Sequence, residues 1–286
     1  MPVDRFTVTE GIDEAMRAAY DRDGFLVLEG FASAEDCRVL SARIDALIDG
    51  FEPPETPTVF GAHAADRYFL GSGDTIRFFF EPGAVDGQGR PTRPIRTALN
   101  KIGHALHDLD PGFDAFFRSG RFRALAEGLG LRDPRLLQSM VIFKQPGIGA
   151  PVGMHQDATF LRTDPPSVTG FWIALEDATL ENGCLLAVPG GHRGPLRKWF
   201  GRGEGDVLET RMLVEDGGGA VGKPVPLEVP AGTLVVLHGL LPHGSGPNRS
   251  DRSRRAVTLH TIDGGLPYAE DNWLRRRKDL PLRGFQ

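Results

Sequence analysis

The chain has few cysteines and no long apolar run, and both absences exclude whole classes of protein. Only Cys37 and Cys184 occur among 286 residues, without a Cys-x-x-Cys spacing, which argues against a disulfide framework or a thiolate zinc site. A reducing, cytoplasmic compartment is therefore expected, and MPVDRFTVTEGIDEAM contains no apolar h-region that would predict a secretory signal. No uncharged run approaches the roughly 18 residues that a bilayer span requires.

The chain also lacks a strong excess of charge. Its formal net charge is -5 and its pI about 5.9, which gives no general reason to expect binding to nucleic acid or to an anionic membrane. The expected partner is a small-molecule substrate, and the oligomeric state is left open. Hydrophobic residues make up 40% and charged residues 25%, as in ordinary soluble proteins, while 37 glycines and 22 prolines favour many short strands and turns.

The pattern of apolar residues changes near residue 134. The part before it, about 1–133, is predicted to be mainly helical. Helices are expected at 11–22, after a Ser33 N-cap, at 94–109 and at 121–130, with strands at 24–30 and in TIRFFFEP. The stretches 52–75 and 193–222 are rich in glycine, proline or charge and are predicted to be loops.

From 134 to about 265, short β-branched and aromatic runs alternate with Gly/Pro turns, which predicts a sandwich or barrel. We therefore expect a single domain over 1–286, in which a β core is covered by the N-terminal helices and followed by a C-terminal extension at 266–286. The fold class is mainly β with α.

His155 and Asp157, in GMHQDATF, are the first candidates for chemistry. A histidine and a carboxylate two residues apart point to the same side of an extended backbone, as two members of a 2-His-1-carboxylate iron site do. With 8 histidines and 38 acidic residues, about one such match is expected by chance, and this is the only one. The pattern therefore needs a third ligand and a co-substrate anchor.

Later histidines and arginines supply candidates for both. The third ligand is expected among His192, His238, His243 and His260, and position along the chain does not separate His238 from His243. Four arginines follow, at 249, 252, 254 and 255, which together resemble a solvated basic turn. Alternatively, one of them binds a carboxylate with its guanidinium fork. Arg254 shares one face of the following strand with Ala256, Thr258 and His260, and Arg255 faces the other way.

Several longer segments resemble the phytanoyl-CoA dioxygenase family of iron(II)/2-oxoglutarate enzymes, and one branch of it closely. They are MHQDATFLRTDP, GFWIALEDATLENGCLLAVPGGH, HGSGPNRSDRSRRA, LNKIGHALH and QSMVIFKQP, and the similarity runs from about residue 20 almost to the C-terminus. The resemblance implies a double-stranded β-helix, or jelly roll, with helices packed on its major sheet. It also implies Fe(II) as cofactor, with 2-oxoglutarate and O₂ as co-substrates.

The resemblance assigns roles to individual residues. It implies that His155, Asp157 and His243 are the iron ligands, and that Arg254 binds the distal carboxylate of 2-oxoglutarate. It also implies 2-oxoglutarate contacts for Lys101, Met140 and Trp172. Without the resemblance, Lys101 would be a solvated helix residue, and the other two would be core residues.

The resemblance also bears on the reaction. Related halogenases have a small residue where this chain has Asp157, so the carboxylate implies a hydroxylase acting on a small molecule, with release of succinate and CO₂. The alternative is a non-enzymatic jelly-roll module that binds metal or 2-oxoglutarate as a sensor or scaffold. By analogy, the 52–75 and 193–222 segments border the substrate pocket, and Phe78, Phe79, Phe80 and Phe160 are candidates for its apolar wall.

Overall fold

The computed structural model describes residues 3–7, 11–54, 58–59, 67–215 and 222–285. The helices α1 to α7 span Glu14–Asp23, Ala34–Asp49, Arg67–Leu70, Ile95–Ala98, Leu106–Leu109, Pro111–Phe117 and Gly120–Gly128. Helix α2 begins where the sequence predicts, because Ser33 and Asp36 form a reciprocal capping box. Among these described helices, none is long and apolar enough to cross a lipid bilayer.

Fourteen strands are found in the described part of the chain. In order, β1 to β14 span Arg5–Thr7, Phe25–Glu29, Ile76–Phe80, Leu99–His104, Pro134–Lys144, Val152–His155, Thr169–Ala174, Leu185–Ala187, Lys198–Arg202, Leu208–Met212, Val225–Leu227, Leu234–His238, His243–Ser245 and Arg254–Asp263. The major sheet has the order β1-β2-β12-β7-β14-β5-β4-β3, and the minor sheet has the order β11-β8-β13-β6. Strands β9 and β10 form a separate hairpin.

The two-residue period of the strands divides the major sheet into two faces. On its outer face, Phe171, Ile173, Val257 and Leu259 belong to a core shared with α1, α2, α6 and α7. On its inner face, neighbouring residues such as Trp172 and Ala256 pack in a second core with residues of the minor sheet. The two sheets face each other without closing into one continuous barrel. This arrangement confirms the predicted jelly roll with helices on the major sheet.

The part before residue 133 contains more strand than the sequence predicts. The helix expected over 94–109 is wrong in its centre, because 99–104 is β4 and only the short α4 and α5 flank it. Strand β4 pairs with both β3 and β5, so this segment extends the major sheet. The extent of a single domain over 1–286 stays a prediction.

Two predicted loops contain regular structure. The 193–222 segment contains the β9–β10 hairpin, and the 52–75 segment contains α3. Residues 216–221 of the first segment, and 55–57 and 60–66 of the second, lie outside the described residues. Both cysteines are buried and carry free thiols, in agreement with the absence of a disulfide framework.

Candidate metal centre and co-substrate cavity

His155 and Asp157 reach the space between the sheets because the backbone is extended through Gln156. His155 ends β6, and Asp157 opens a short 3-10 turn over Asp157–Thr159. The Gln156 side chain points away from them and is fixed by hydrogen bonds: its amide donates to the carbonyls of Pro195 (3.1 Å) and Leu240 (2.8 Å). This anchored residue sets the alternation that puts the imidazole and the carboxylate on the same side.

His243 is brought to this pair by strand pairing. It begins β13, which runs antiparallel to β6, and its register partner is His155. The ring centroids of the two histidines are 4.3 Å apart. Donor atoms of His155, Asp157 and His243 all lie within 4.8 Å of one another. His238, the open alternative, lies at the end of β12 beside Tyr20 and His192 in another cavity.

Backbone contacts aim both imidazoles at the carboxylate. Nδ1 of His155 lies 2.9 Å from the Gly153 carbonyl, and Nδ1 of His243 lies 3.0 Å from the Leu241 carbonyl. With Nδ1–H donating to those carbonyls, Nε2 of each ring is left as a metal-binding atom. Each Nε2 is 3.6 Å from Oδ1 of Asp157.

The electrostatics of the three groups suit a cation. Burial lowers the pKa of His243 to about 4, so this imidazole is neutral near pH 7. Burial alone would raise the pKa of Asp157, but the surrounding histidines outweigh it and hold that pKa well below its usual range. Burial would also lower the pKa of His155, but the adjacent Asp157 carboxylate outweighs it and raises that pKa. A metal binds neutral imidazoles and an ionised carboxylate, so it would displace a proton held between His155 and Asp157. Two nitrogens and one oxygen on one side of a centre fit ferrous iron with open positions.

The three groups face a cavity of about 340 Å³ whose floor is the inner face of the major sheet. Strand β14 crosses this floor and presents Arg254, Thr258 and His260 to the cavity. At about 3.3 Å per residue, the backbone positions of Arg254 and His260 are roughly 20 Å apart. His260 is the end nearer the metal candidates, because its Nε2 lies 3.3 Å from Oδ2 of Asp157.

Arg254 lies at the other end of the floor and is 1% exposed. Its guanidinium carbon is 5.3 Å from the Trp172 ring centroid, and its Nε and Nη1 atoms have no hydrogen-bond partner among the described residues. Burial lowers its pKa to about 10, so it remains charged at neutral pH. A buried guanidinium without a counter-ion is costly, and an anionic ligand would remove that cost.

Lys144 is the register partner of Arg254, but its ammonium is already bonded. It donates to the Gly246 carbonyl at 2.8 Å and also to the Ala150 carbonyl. Burial and repulsion from Arg254 together lower the pKa of Lys144 to about 7, against the attraction of Glu81. Arg254 is therefore the cation at this end that is open to a ligand.

The remaining predicted contacts also line the cavity. Trp172 and Met140 flank Thr258 in register, which places them in one row between Arg254 and the metal candidates. Lys101 lies one row away as the register partner of Ile142. It is on a strand and buried, not on a solvated helix, and burial lowers its pKa to about 7.

Other lining residues were not found from the sequence. Phe69, His104 and Trp273 form part of the wall beyond the metal candidates, where the Phe69 and Trp273 rings stack at 4.3 Å. They come from three distant segments, so no local pattern joins them. Phe160 lines the cavity as expected, whereas Phe78 and Phe80 belong to the outer core. Phe79 does not line the cavity and packs against Phe69 and His104.

Comparisons with known proteins agree with this geometry. Residues 20–256 match the family model described as phytanoyl-CoA dioxygenase (PhyH). A Bos taurus protein named phytanoyl-CoA dioxygenase domain-containing protein 1 is 45% identical, over 92% of this chain and 94% of the relative. An Arabidopsis thaliana phytanoyl-CoA dioxygenase is 42% identical, over 91% and 92% of the two chains.

Solved structures show the same fold. The epimerase SnoN, in complex with Fe3+, alpha ketoglutarate and nogalamycin RO, has a TM-score of 0.66 at 20% identity and covers 95% of this chain and 93% of its own. EctD from S. alaskensis, with 2-oxoglutarate and 5-hydroxyectoine, has a TM-score of 0.64 at 20% identity, over 96% and 88%. At this level of identity the likeness extends to the fold alone.

Proposed function

Because this chain belongs to the phytanoyl-CoA dioxygenase (PhyH) family, we propose that it is an Fe(II)- and 2-oxoglutarate-dependent dioxygenase that hydroxylates a small molecule. His155, Asp157 and His243 hold the iron. Arg254 binds the distal carboxylate of 2-oxoglutarate. Lys101, Met140 and Trp172 form the walls around that co-substrate.

The observation that carries the proposal is the buried, unpaired guanidinium of Arg254 in the same cavity as the His-Asp-His centre. A metal centre alone does not explain a cation buried at the far end of the floor. A dicarboxylate that chelates a metal at one end and meets a guanidinium at the other explains both features. The cavity of about 340 Å³ also leaves room for a compact substrate.

Each side chain has a task when the cofactor and co-substrate are bound. Iron(II) supplies the coupling of 2-oxoglutarate and O₂ to C–H hydroxylation, which yields hydroxylated substrate, succinate and CO₂. Arg254 fixes one end of the co-substrate with a guanidinium that matches a carboxylate bidentately. Lys101 adds a desolvated amine near His155, with a pKa that burial lowers to about 7, while Trp172 and Met140 exclude water from the space between.

Asp157 supports hydroxylation over halogenation. Its carboxylate takes the ligand position that a halogenase leaves to chloride, and Oδ1 is equally distant from both histidines at 3.6 Å. Relatives of the same fold include the epimerase SnoN and the carbocyclase SnoK, so the outcome must be read from products. A substrate panel incubated under ¹⁸O₂ would show hydroxylation as one labelled oxygen in the product.

Succinate formation from 2-oxoglutarate, with ferrous iron and ascorbate, tests the reaction class without a known substrate. We expect slow turnover in the wild type and none in Asp157→Ala or His243→Ala. His238→Ala is the matched control, because His238 lies in a different cavity, and it should retain turnover. Loss in His238→Ala with retention in His243→Ala would refute the ligand assignment. Binding of metal and 2-oxoglutarate without turnover on any panel substrate would favour a sensor or scaffold.

A further inference from the structure

We propose that His260 and Gly170 are positioning residues that hold the Asp157 carboxylate so that Oδ1 alone faces the metal. This inference rests on the proposed iron site. It concerns the oxygen of Asp157 that points away from the two histidine ligands. It also explains why a glycine and a third histidine lie side by side on the floor under the metal centre.

The two oxygens of Asp157 have different surroundings. Oδ1 is 3.6 Å from Nε2 of both His155 and His243. Oδ2 faces the floor of the cavity, 3.3 Å from Nε2 of His260, and is completely buried. That contact falls short of hydrogen-bond alignment in this structure, and Oδ2 has no other hydrogen-bond partner within the described ranges. His260 is therefore the donor within reach of an oxygen that needs one.

The surroundings of His260 determine which of its two nitrogens is the better placed donor. Nδ1 of His260 is buried and has no hydrogen-bond partner in the described chain. A proton on Nδ1 would bury an unpaired donor and would turn the Nε2 lone pair towards a carboxylate oxygen. A proton on Nε2 lies on the side of the ring that approaches Asp157 Oδ2, which is the favourable arrangement.

Gly170 makes the space that the carboxylate occupies. It lies on β7 as the register partner of His260 on β14, so the two residues are neighbours on the floor. A Cβ at residue 170 would lie 2.9 Å from Oδ2 of Asp157 and 3.5 Å from Cδ2 of His260. The carboxylate therefore rests where every other residue type would place a side chain.

The consequence concerns the number of free positions at the metal. A facial triad with one carboxylate oxygen leaves three positions, two for 2-oxoglutarate and one for O₂. If Asp157 rotated and bound through both oxygens, it would take one of these positions. His260 opposes that rotation by attracting Oδ2, and Gly170 gives Oδ2 a place away from the metal.

Metal affinity tests the proposal independently of turnover. Mn(II) binding is measured by calorimetry for wild type, His260→Phe, His260→Gln and Gly170→Ala, with and without 2-oxoglutarate, and each apo Tm is recorded. Loss of a hydrogen-bond partner behind a metal ligand typically weakens metal affinity ~10- to 100-fold. We expect this loss in His260→Phe and Gly170→Ala, together with weaker 2-oxoglutarate binding to the metal-loaded protein. His260→Gln, which keeps an N–H donor, should recover most of the affinity, and the control His238→Phe should match the wild type.

Each outcome decides one point. If His260→Phe binds Mn(II) with wild-type affinity, the proposal is wrong. It is also wrong if His260→Gln and His260→Phe weaken Mn(II) binding equally, because the N–H donor would then have no effect. If His260→Phe fails to fold, Gly170→Ala decides, and wild-type affinity there overturns the proposal. Failure of the wild type to bind Mn(II) would instead refute the proposed metal site.

Discussion

At the scale of single residues, Arg254 is the basis of the proposed choice of co-substrate. Its guanidinium is buried at the end of the floor, and the neighbouring cation Lys144 is bonded to backbone carbonyls. The site therefore presents one planar cation at a fixed distance from the metal candidates. Under the proposed function, that combination would select a co-substrate with an anionic group at the end opposite its chelating atoms.

Removing the guanidinium should weaken 2-oxoglutarate binding without unfolding the protein. Truncating one member of a buried charged pair costs about 2–5 kcal/mol, so Arg254→Ala should raise the 2-oxoglutarate Kd by at least ~30-fold. The 2-oxoglutarate Kd of Arg254→Lys should lie between those of wild type and Arg254→Ala, because an ammonium cannot bind both carboxylate oxygens through a planar fork. Calorimetric titration of 2-oxoglutarate into the Mn(II)-loaded protein measures both effects.

The control for this prediction is Arg252→Ala. The Arg252 side chain is 71% exposed and lies 3.8 Å from Asp177, outside the cavity lining. Its removal should leave the Kd unchanged. If Arg252→Ala weakened binding while Arg254→Ala did not, the anchor would be Arg252.

Residue patterns anticipated part of the site. The spacing of His155 and Asp157 predicted that both side chains point to the same side, because the alternation of side chains is a local property of an extended chain. His243 required the resemblance, because its approach to His155 depends on the pairing of β6 with β13, 88 residues later along the chain. The contact of His260 with Asp157 forms because the 3-10 turn at Asp157 packs against β14 of the major sheet. The spacing of these residues along the chain does not predict that packing.

At the scale of elements, β4 shows how a bulge imitates a helix. In its pairing with β3, Phe79 lies opposite Lys101 and Phe80 lies opposite Leu99, so Asn100 is an extra residue. The bulge puts Leu99 and Ile102, three residues apart, in the same outer core. That spacing is also the signature of an amphipathic helix, which is why the sequence predicted one. The bulge also directs Lys101 towards the cavity.

A second prediction concerns Thr258, which lies on strand β14. Its Oγ1 is buried without a hydrogen-bond partner in the described chain, and it lies between Trp172 and Met140 on the floor. We expect Thr258→Val to raise the 2-oxoglutarate Kd about tenfold, the effect of one lost hydrogen bond of ~1–1.5 kcal/mol. The apo Tm should stay the same or rise, because the variant removes an unsatisfied polar atom.

Thr261→Val is the matched control on the same strand. Thr261 follows the β14–β5 register shift, and its hydroxyl lies 3.5 Å from the Thr169 carbonyl, outside the cavity lining. It should leave 2-oxoglutarate binding unchanged. Equal Kd values for wild type and Thr258→Val would show that this hydroxyl does not contact the co-substrate.

At the scale of the whole molecule, distant segments complete the wall of the cavity. Trp273 comes from the C-terminal extension, and Phe69 comes from α3. The β9–β10 hairpin supports both residues. The ring centroids of Phe200 and Phe69 are 6.3 Å apart, and Gly201 forms a β-bridge with Asn272. A sandwich or barrel was predictable from the short strands and turns, and the jelly roll from the family resemblance. This wall was not predictable, because its contacts depend on tertiary packing alone.

A buried ion cluster fastens the C-terminal extension to the body of the protein. The Asp108 side chain is fully buried and makes ion pairs with Arg118, Arg276 (3.0 Å) and Arg283 (2.8 Å). Arg276 also donates to the Leu137 carbonyl at 2.9 Å. Because Arg276 is three residues beyond Trp273, this cluster helps to fix the aromatic wall.

Asp108→Asn should therefore lower the free energy of unfolding at pH 7 by about 3–5 kcal/mol, as expected when one partner of a buried ion pair is removed. Asp114→Asn is the control, because Asp114 also pairs with Arg118 but is 43% exposed, and its loss should cost under about 1 kcal/mol.

Burial alone would raise the pKa of Asp108, but His107 and the arginines outweigh it and hold that pKa well below its usual range. A depressed carboxyl pKa stabilises the fold above the unfolded value of about 4, and that stabilisation is lost as the pH falls. Urea unfolding should thus show that the difference in the free energy of unfolding between wild type and Asp108→Asn is constant from pH 7 to about 5 and shrinks below about 4. If this difference did not change with pH, the ionised carboxylate would not have the proposed stabilising role.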